Sequence, residues 1–266
     1  MSDKLREGHE FARLLAIVRE LRERCPWDRE QTLAGTGKFL IEEAYEAADA
    51  IEQEDSQAIV EELGDLLVQV LLAAVIAQQH NALDSARMLQ LAADKLVRRH
   101  PHVYADAEAY TSNEVITQWN RIKNDERKAR GFGSALDGIA ASLPALTRAQ
   151  KLGARARQAG MDWADIHQVL AQVREEMDEV EGALAQGDDD GAASELGDML
   201  LALANAPRFI GHDAEEVLRR SCNKFIGRFQ LVEQLAHRRG LKLDRMTPAE
   251  VDSLWKEAKK LEPAAK

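Results

Sequence analysis

The sequence predicts an all-α protein made of two copies of one helical-bundle unit, and three observations carry that prediction. Apolar residues recur at spacings of three and four, as in Phe11, Leu14, Leu15, Val18 and Leu21, which places them on one helix face. No segment alternates apolar and polar residues over the length of a strand, and only 6 prolines punctuate the chain. An acidic pattern also returns at a fixed displacement. Glu42-Glu43-x-x-Glu46 recurs 133 residues later as Glu175-Glu176-x-x-Glu179, and Glu62-Leu63-Gly64-Asp65 recurs at the same displacement as Glu195-Leu196-Gly197-Asp198. One displacement for both pieces, half of the 266-residue chain, leaves no insertion or deletion between them.

In chain order the periodicity predicts helices over 4–24, 37–54, 57–80, 85–100 and 112–130, then 143–159, 164–186, 190–210, 214–239 and 248–261. Ser56, Ser85, Asp213 and Thr247 stand where helix N-caps belong, and Pro101 ends a helix. Gly131-Phe132-Gly133-Ser134 is the best linker, so the expected division is a first repeat over 1–130, a linker over 131–141 and a second repeat over 142–266. The segment Leu66–Ala77 is apolar almost all round, which predicts a bundle completed by a partner chain, a homodimer.

The balance of 46 acidic and 35 basic side chains gives a net charge of −11, which argues against nucleic acid or an anionic membrane as partner. Two cysteines, Cys25 and Cys222, cannot build a disulfide scaffold and fit a reducing compartment. The first ten residues lack the basic-then-apolar order of a signal peptide, and no apolar run approaches a membrane span. A cytoplasmic protein is expected.

Glu43 and Glu46 stand three apart, so on a helix both carboxylates share a face; Glu62 and Asp65 repeat this on the next helix. A helix pair joined near Asp55-Ser56 runs antiparallel and lets the four carboxylates converge. Glu176, Glu179, Glu195 and Asp198 do the same across 187–191. A lone Glu-x-x-Glu is usually a solvated acidic face. A duplicated quartet is different, because clustered carboxylates repel unless a hard cation neutralises them, and all-oxygen ligands with water completing the shell favour Mg²⁺ or Mn²⁺ over zinc. Gly64 and Gly197 interrupt their helices at about 1 kcal/mol each relative to alanine, which predicts a close approach of backbone or ligand there.

Cations follow each quartet. Lys95 and Arg99 are four apart, as are Lys224 and Arg228; Trp119-x-x-x-Lys123 and Trp255-x-x-x-Lys259 come later. Metal with Lys and Arg suits a polyphosphate, and a Trp can stack on a base. Gly35-Thr36-Gly37-Lys38 lacks the spacing of a phosphate-binding P-loop, and no histidine completes a Glu-x-x-His di-iron motif.

E-E-A-Y-E followed by E-E-L-G-D, and E-E-M-D-E followed by S-E-L-G-D, resemble the EExxE…ExxD motif of MazG-type nucleotide pyrophosphohydrolases. C-P-W-D-R-E-Q-T at 25–32, R-R-H-P-H-V-Y at 98–104 and S-L-P-A-L-T-R-A-Q-K at 142–151 extend the resemblance to nearly the whole chain, in the two-repeat form. The resemblance implies an all-α fold shared with dimeric dUTPases, Mg²⁺ dependence and cleavage of nucleoside triphosphates to monophosphate and pyrophosphate. It implies metal ligation by Glu43, Glu46, Glu62 and Asp65, and by Glu176, Glu179, Glu195 and Asp198. It also implies nucleotide contacts from Gln172, Lys224, Arg228, Trp255 and Lys259, with Lys95, Arg99, Trp119 and Lys123 at the corresponding first-repeat positions, and it favours the second repeat as the catalytic unit. Glu42 and Glu175, about 100° round the helix from the metal-facing row, are candidates to hold or deprotonate the attacking water. Two other readings stay open: a narrow dUTPase- or dCTPase-like hydrolase, and a non-catalytic helical dimerisation module.

Overall fold

The computed structural model describes residues 3–80 and 84–261, and among these every regular element is helical. The chain forms two compact units, Met1–Glu126 and Arg127–Lys266.

The first unit begins with α1 (Asp3–Arg24) and the short α2 (Pro26–Glu30), followed by α3 (Leu33–Glu52) and α4 (Ser56–Gln79). A three-residue turn joins α3 to α4, so the two pack as an antiparallel hairpin. Helix α1 lies across α4 and sets Val18 among Leu71, Leu72, Val75 and Ile76, with Phe11, Leu14 and Leu15 alongside. The apolar stripe read in the first helix is thus the cover of the apolar run in the fourth. Covering is incomplete: Val60, Leu63 and Val70 on α4 stay exposed. Buried Arg22 donates to Gln79 Oε1 at 2.8 Å, to the Gln31 carbonyl at 3.0 Å and to the Asp28 carbonyl, tying α1, α2 and the end of α4 together. Three helices follow, α5 (Ser85–Arg99), α6 (Pro101–Tyr104) and α7 (Ser112–Ala129). The division between units falls within α7, upstream of the expected linker at 131–141.

The second unit contains α8 (Ala145–Gln158), α9 (Ile166–Gln186), α10 (Asp189–Asn205), α11 (Ala214–Arg238) and α12 (Pro248–Leu261). Helices α9 and α10 form its hairpin. Gly187 makes the turn at φ 74°, and the Asp188 N–H closes it on the Ala183 carbonyl at 3.0 Å. Helix α8 packs on α10 and α11 through the small residues Ala149, Ala204 and Ala214. Val232, Leu235 and Ala236 of α11 meet Leu254 and Ala258 of α12. No helix among the described residues is long and apolar enough to cross a membrane.

Helix starts differ from expectation for chemical reasons. Asp55 and Asp84, one residue before the expected Ser56 and Ser85, cap α4 and α5, because a carboxylate both accepts the N-terminal N–H groups and complements the helix dipole. Asp213 and Thr247 cap as expected, Thr247 in a reciprocal box with Glu250. Thr32 accepts from Gly35 N–H at 3.1 Å and starts α3 four residues early, so 35–38 is helix rather than loop. Pro207 lacks an N–H, and the expected helix over 190–210 stops at Asn205 and finishes as a 3-10 turn, Pro207–Ile210.

Candidate active site

Each hairpin gathers carboxylates from both of its helices. In the first unit, oxygens of Glu43 (α3), Glu62 and Asp65 (α4) all lie within 4.8 Å of one another; in the second, oxygens of Glu176 and Glu179 (α9) and Glu195 (α10) do so. Around one octahedral Mg²⁺, ligand oxygens stand about 3 Å apart when adjacent and about 4.2 Å when opposite. Each cluster could therefore hold a single hard cation. The fourth member of each quartet adds its field: Glu46 acts on Glu43 and Glu62, and Asp198 acts on Glu195.

The electrostatics match. Loss of hydration, then repulsion from Asp65 and Glu46, pushes the Glu43 carboxyl above its ordinary range. Glu62 is raised by desolvation and by Glu46 and Asp65, and Glu195 by desolvation and by Glu179, Glu176 and Asp198. A bound dication reverses that repulsion.

The two sites differ in their neighbours. In the second, Gln172 donates from one turn earlier on α9 to Glu176 Oε1 at 2.7 Å. In the first, the amide comes from the opposite helix, Gln69 donating to Glu43 Oε1 at 3.4 Å. At the 133-residue displacement, Phe39 stands where Gln172 does, and Gln69 where Ala202 does. Glu42 and Glu175 are exposed beside Glu43 and Glu176. Gly64 and Gly197 make no close approach: nothing lies within 4 Å of where a Cβ would stand on either, which corrects the expectation of neighbouring backbone there. A glycine that does permit close packing between helices is Gly153, whose Cβ would stand 1.9 Å from Asn205 Oδ1.

Beside the second cluster opens a cavity of about 570 Å³, within the size range of small-molecule sites. Gln172, Glu176 and Asp198 stand in its wall, while Leu152, Ala156, Trp163, Leu201 and Ala202 make much of the rest. The wall therefore combines carboxylates with apolar and aromatic side chains. Sequence reasoning missed Trp163 and Asn205. Trp163 lines the same cavity as Glu176 although it stands in the loop before α9, off any helical register. The only sequence signal was a Trp-containing segment at a helix start, Met161-Asp162-Trp163, after Gly160.

The predicted nucleotide cations form separate clusters. Arg99 Cζ sits 5.4 Å and Lys123 Nζ 4.5 Å from the Trp119 ring centroid. Glu126 accepts from Arg98 Nε at 2.8 Å and from Arg99 Nη2 at 2.6 Å, which holds its carboxyl down at about 2. In the second unit Arg228 lies 4.9 Å over Trp255, and Phe225 packs on the same ring at 5.2 Å. Lys95, Lys224 and Lys259 are exposed, and none of Lys224, Arg228, Trp255 and Lys259 lines the cavity.

Two helical hairpins, one in each unit, each present a carboxylate cluster that could hold a metal ion and make up a duplicated all-α architecture. Residues 31–104 and 165–232, which contain the two clusters, match the MazG nucleotide pyrophosphohydrolase domain. The chain is 41% identical over 259 residues to the nucleoside triphosphate pyrophosphohydrolase of Escherichia coli K12, covering 96% of this chain and 98% of that one. It is 36% identical over 251 residues to the nucleoside triphosphate pyrophosphohydrolase/pyrophosphatase MazG of Thermotoga maritima, covering 94% and 95%. A crystal structure of a mazG-related protein from Thermotoga maritima aligns with 42% of this chain and 98% of its own, at 28% identity and a TM-score of 0.39. The chain belongs to the MazG nucleotide pyrophosphohydrolase family.

Proposed function

We propose that this chain hydrolyses nucleoside triphosphates to nucleoside monophosphates and pyrophosphate, with Mg²⁺ held by its acidic clusters and the second unit as the principal site. The cavity beside Glu176 and Asp198 carries this reading, because its wall combines carboxylates suited to a metal-triphosphate with aromatic and apolar side chains suited to a nucleoside. Glu176, Glu179, Glu195 and Asp198 would hold the metal there, and Glu43, Glu46, Glu62 and Asp65 in the first unit. The bound ion supplies charge neutralisation along the phosphates and a lowered pKa for a coordinated water. Gln172 fixes the Glu176 carboxylate by its hydrogen bond. Glu175 and Glu42 take the role of orienting or deprotonating the attacking water.

Lys224, Arg228, Trp255 and Lys259 would meet the nucleotide from a second copy of the chain. Exposed Leu200, Leu203, Phe225, Ile226 and Phe229 in the second unit support a homodimer that buries them. Two free cysteines fit work in a reducing cytoplasm.

Product analysis tests the reaction. With Mg²⁺ and a panel of ribo- and deoxyribonucleoside triphosphates, monophosphate and pyrophosphate are expected in equal amounts. Diphosphate with orthophosphate would contradict the assignment. Turnover confined to one pyrimidine nucleotide would favour the narrow hydrolase, and none at all the dimerisation module.

A further inference from the structure

Resting on the nucleoside reading of the second-unit cavity, we infer that Arg208 is a positioning residue for substrate, acting through Asp162 to hold Trp163 in the cavity wall. Met161, Asp162 and Trp163 all line that cavity, in the loop that leaves α8 and enters α9. Both ends of the loop are fixed locally. Gly160 turns the chain at φ 96°, and Met161 N–H reaches back to the Ala156 carbonyl at 2.9 Å. On the far side, Ala164 N–H donates to Gln168 Oε1 at 2.9 Å, and Asp165 caps α9. Asp162 and Trp163 between them have no backbone–backbone hydrogen bond among the described residues.

What holds this middle is a side chain from 46 residues away. Both terminal nitrogens of Arg208 donate to the Asp162 carboxylate, Nη1 at 3.4 Å to Oδ2 and Nη2 to Oδ1. Arg208 stands in the 3-10 turn directly after α10, the helix that supplies Glu195, Asp198, Ala202 and Asn205. Its guanidinium is confined, 4.0 Å from the Phe209 ring centroid, and its side chain is 16% exposed against 25% for Asp162. A two-pronged pair so shielded fixes direction as well as distance, unlike an exposed surface ion pair. The strut thus runs from the end of the metal-carrying helix to the residue next to the aromatic wall. It ties the helix that carries Glu195 and Asp198 to the loop that carries Trp163, and both elements stand in the wall of one cavity.

The inference predicts a split in kinetics. Arg208→Gln and Asp162→Asn should each raise KM for nucleoside triphosphates about ten-fold with kcat within two-fold, since the nucleoside wall loosens while the carboxylates stay. The inhibition constant of inorganic triphosphate, which has no base, should stay within two-fold, and Arg208→Lys should recover part of the lost KM. An unchanged KM in both variants overturns the inference. So does an inhibition constant for inorganic triphosphate that rises in step with KM, because that marks damage to the whole site. Trp163→Leu separates the two levels: if it leaves KM unaltered, the nucleoside reading of the cavity falls, and the strut's role falls with it whatever Arg208 does. A raised KM in Trp163→Leu beside an unaltered KM in Arg208→Gln removes only the strut.

Discussion

Glu195 shows how a clustered carboxylate works against the fold that carries it. Desolvation and three neighbouring carboxylates raise its pKa, so the ionised form is disfavoured in the metal-free folded state. Its effect on folding is favourable at low pH and is lost as pH rises through the raised pKa. Glu195→Gln should therefore raise the Tm of metal-free protein at neutral pH, and the Mg²⁺-induced rise in Tm should shrink; calorimetry with and without Mg²⁺ reads both. Glu126 has the opposite sign. Arg99 and Arg98 hold its carboxyl at about 2, so its contribution is present above the ordinary value of 4.5 and fades as pH falls towards 2. Glu126→Gln should cost about 2 kcal/mol at neutral pH, and denaturant titrations should show the gap closing in acid. The Glu62 and Asp65 positions were legible from spacing alone, because residues three apart on a helix must share a face. Trp163 and Asn205 were not, since a loop and a helix end acquire their place only through what packs beside them.

The hairpins α3–α4 and α9–α10 were readable in the sequence for a related reason. Their apolar periodicity, short connections and repeated acids all follow from local geometry. Boundaries were less legible where two capping residues stand side by side, as at Asp55-Ser56 and Asp84-Ser85, because either can serve and the carboxylate prevails. The contact of α8 with α10 left no periodic signal, since it depends on one missing side chain. Asn205 is buried, its Nδ2 donates to the Leu201 carbonyl at 2.9 Å, and its Oδ1 fills the space beside Gly153. Gly153→Ala should force the two helices apart and cost about 1–3 kcal/mol, measurable as a lower urea midpoint. A Gly197→Ala change, by contrast, meets open space and should stabilise its helix by about 1 kcal/mol.

Two units built on one plan need not do one job. Both keep the acidic cluster, yet Phe39 and Gln69 stand in the first where Gln172 and Ala202 stand in the second, and the Glu176 site adjoins the described cavity. Eight of the 46 acidic side chains belong to the two repeated quartets. The duplication was plain from the repeated motif; the divergence was not, because small and large residues at matching positions gain meaning only around a cavity. Pyrophosphate release by wild type, Glu43→Ala, Glu176→Ala and the double variant, under saturating Mg²⁺, tests the central claim most directly. Glu176→Ala should lower kcat/KM by at least about a hundred-fold, with Glu43→Ala close to wild type. Full activity in the double variant would contradict the carboxylate clusters as the seat of catalysis.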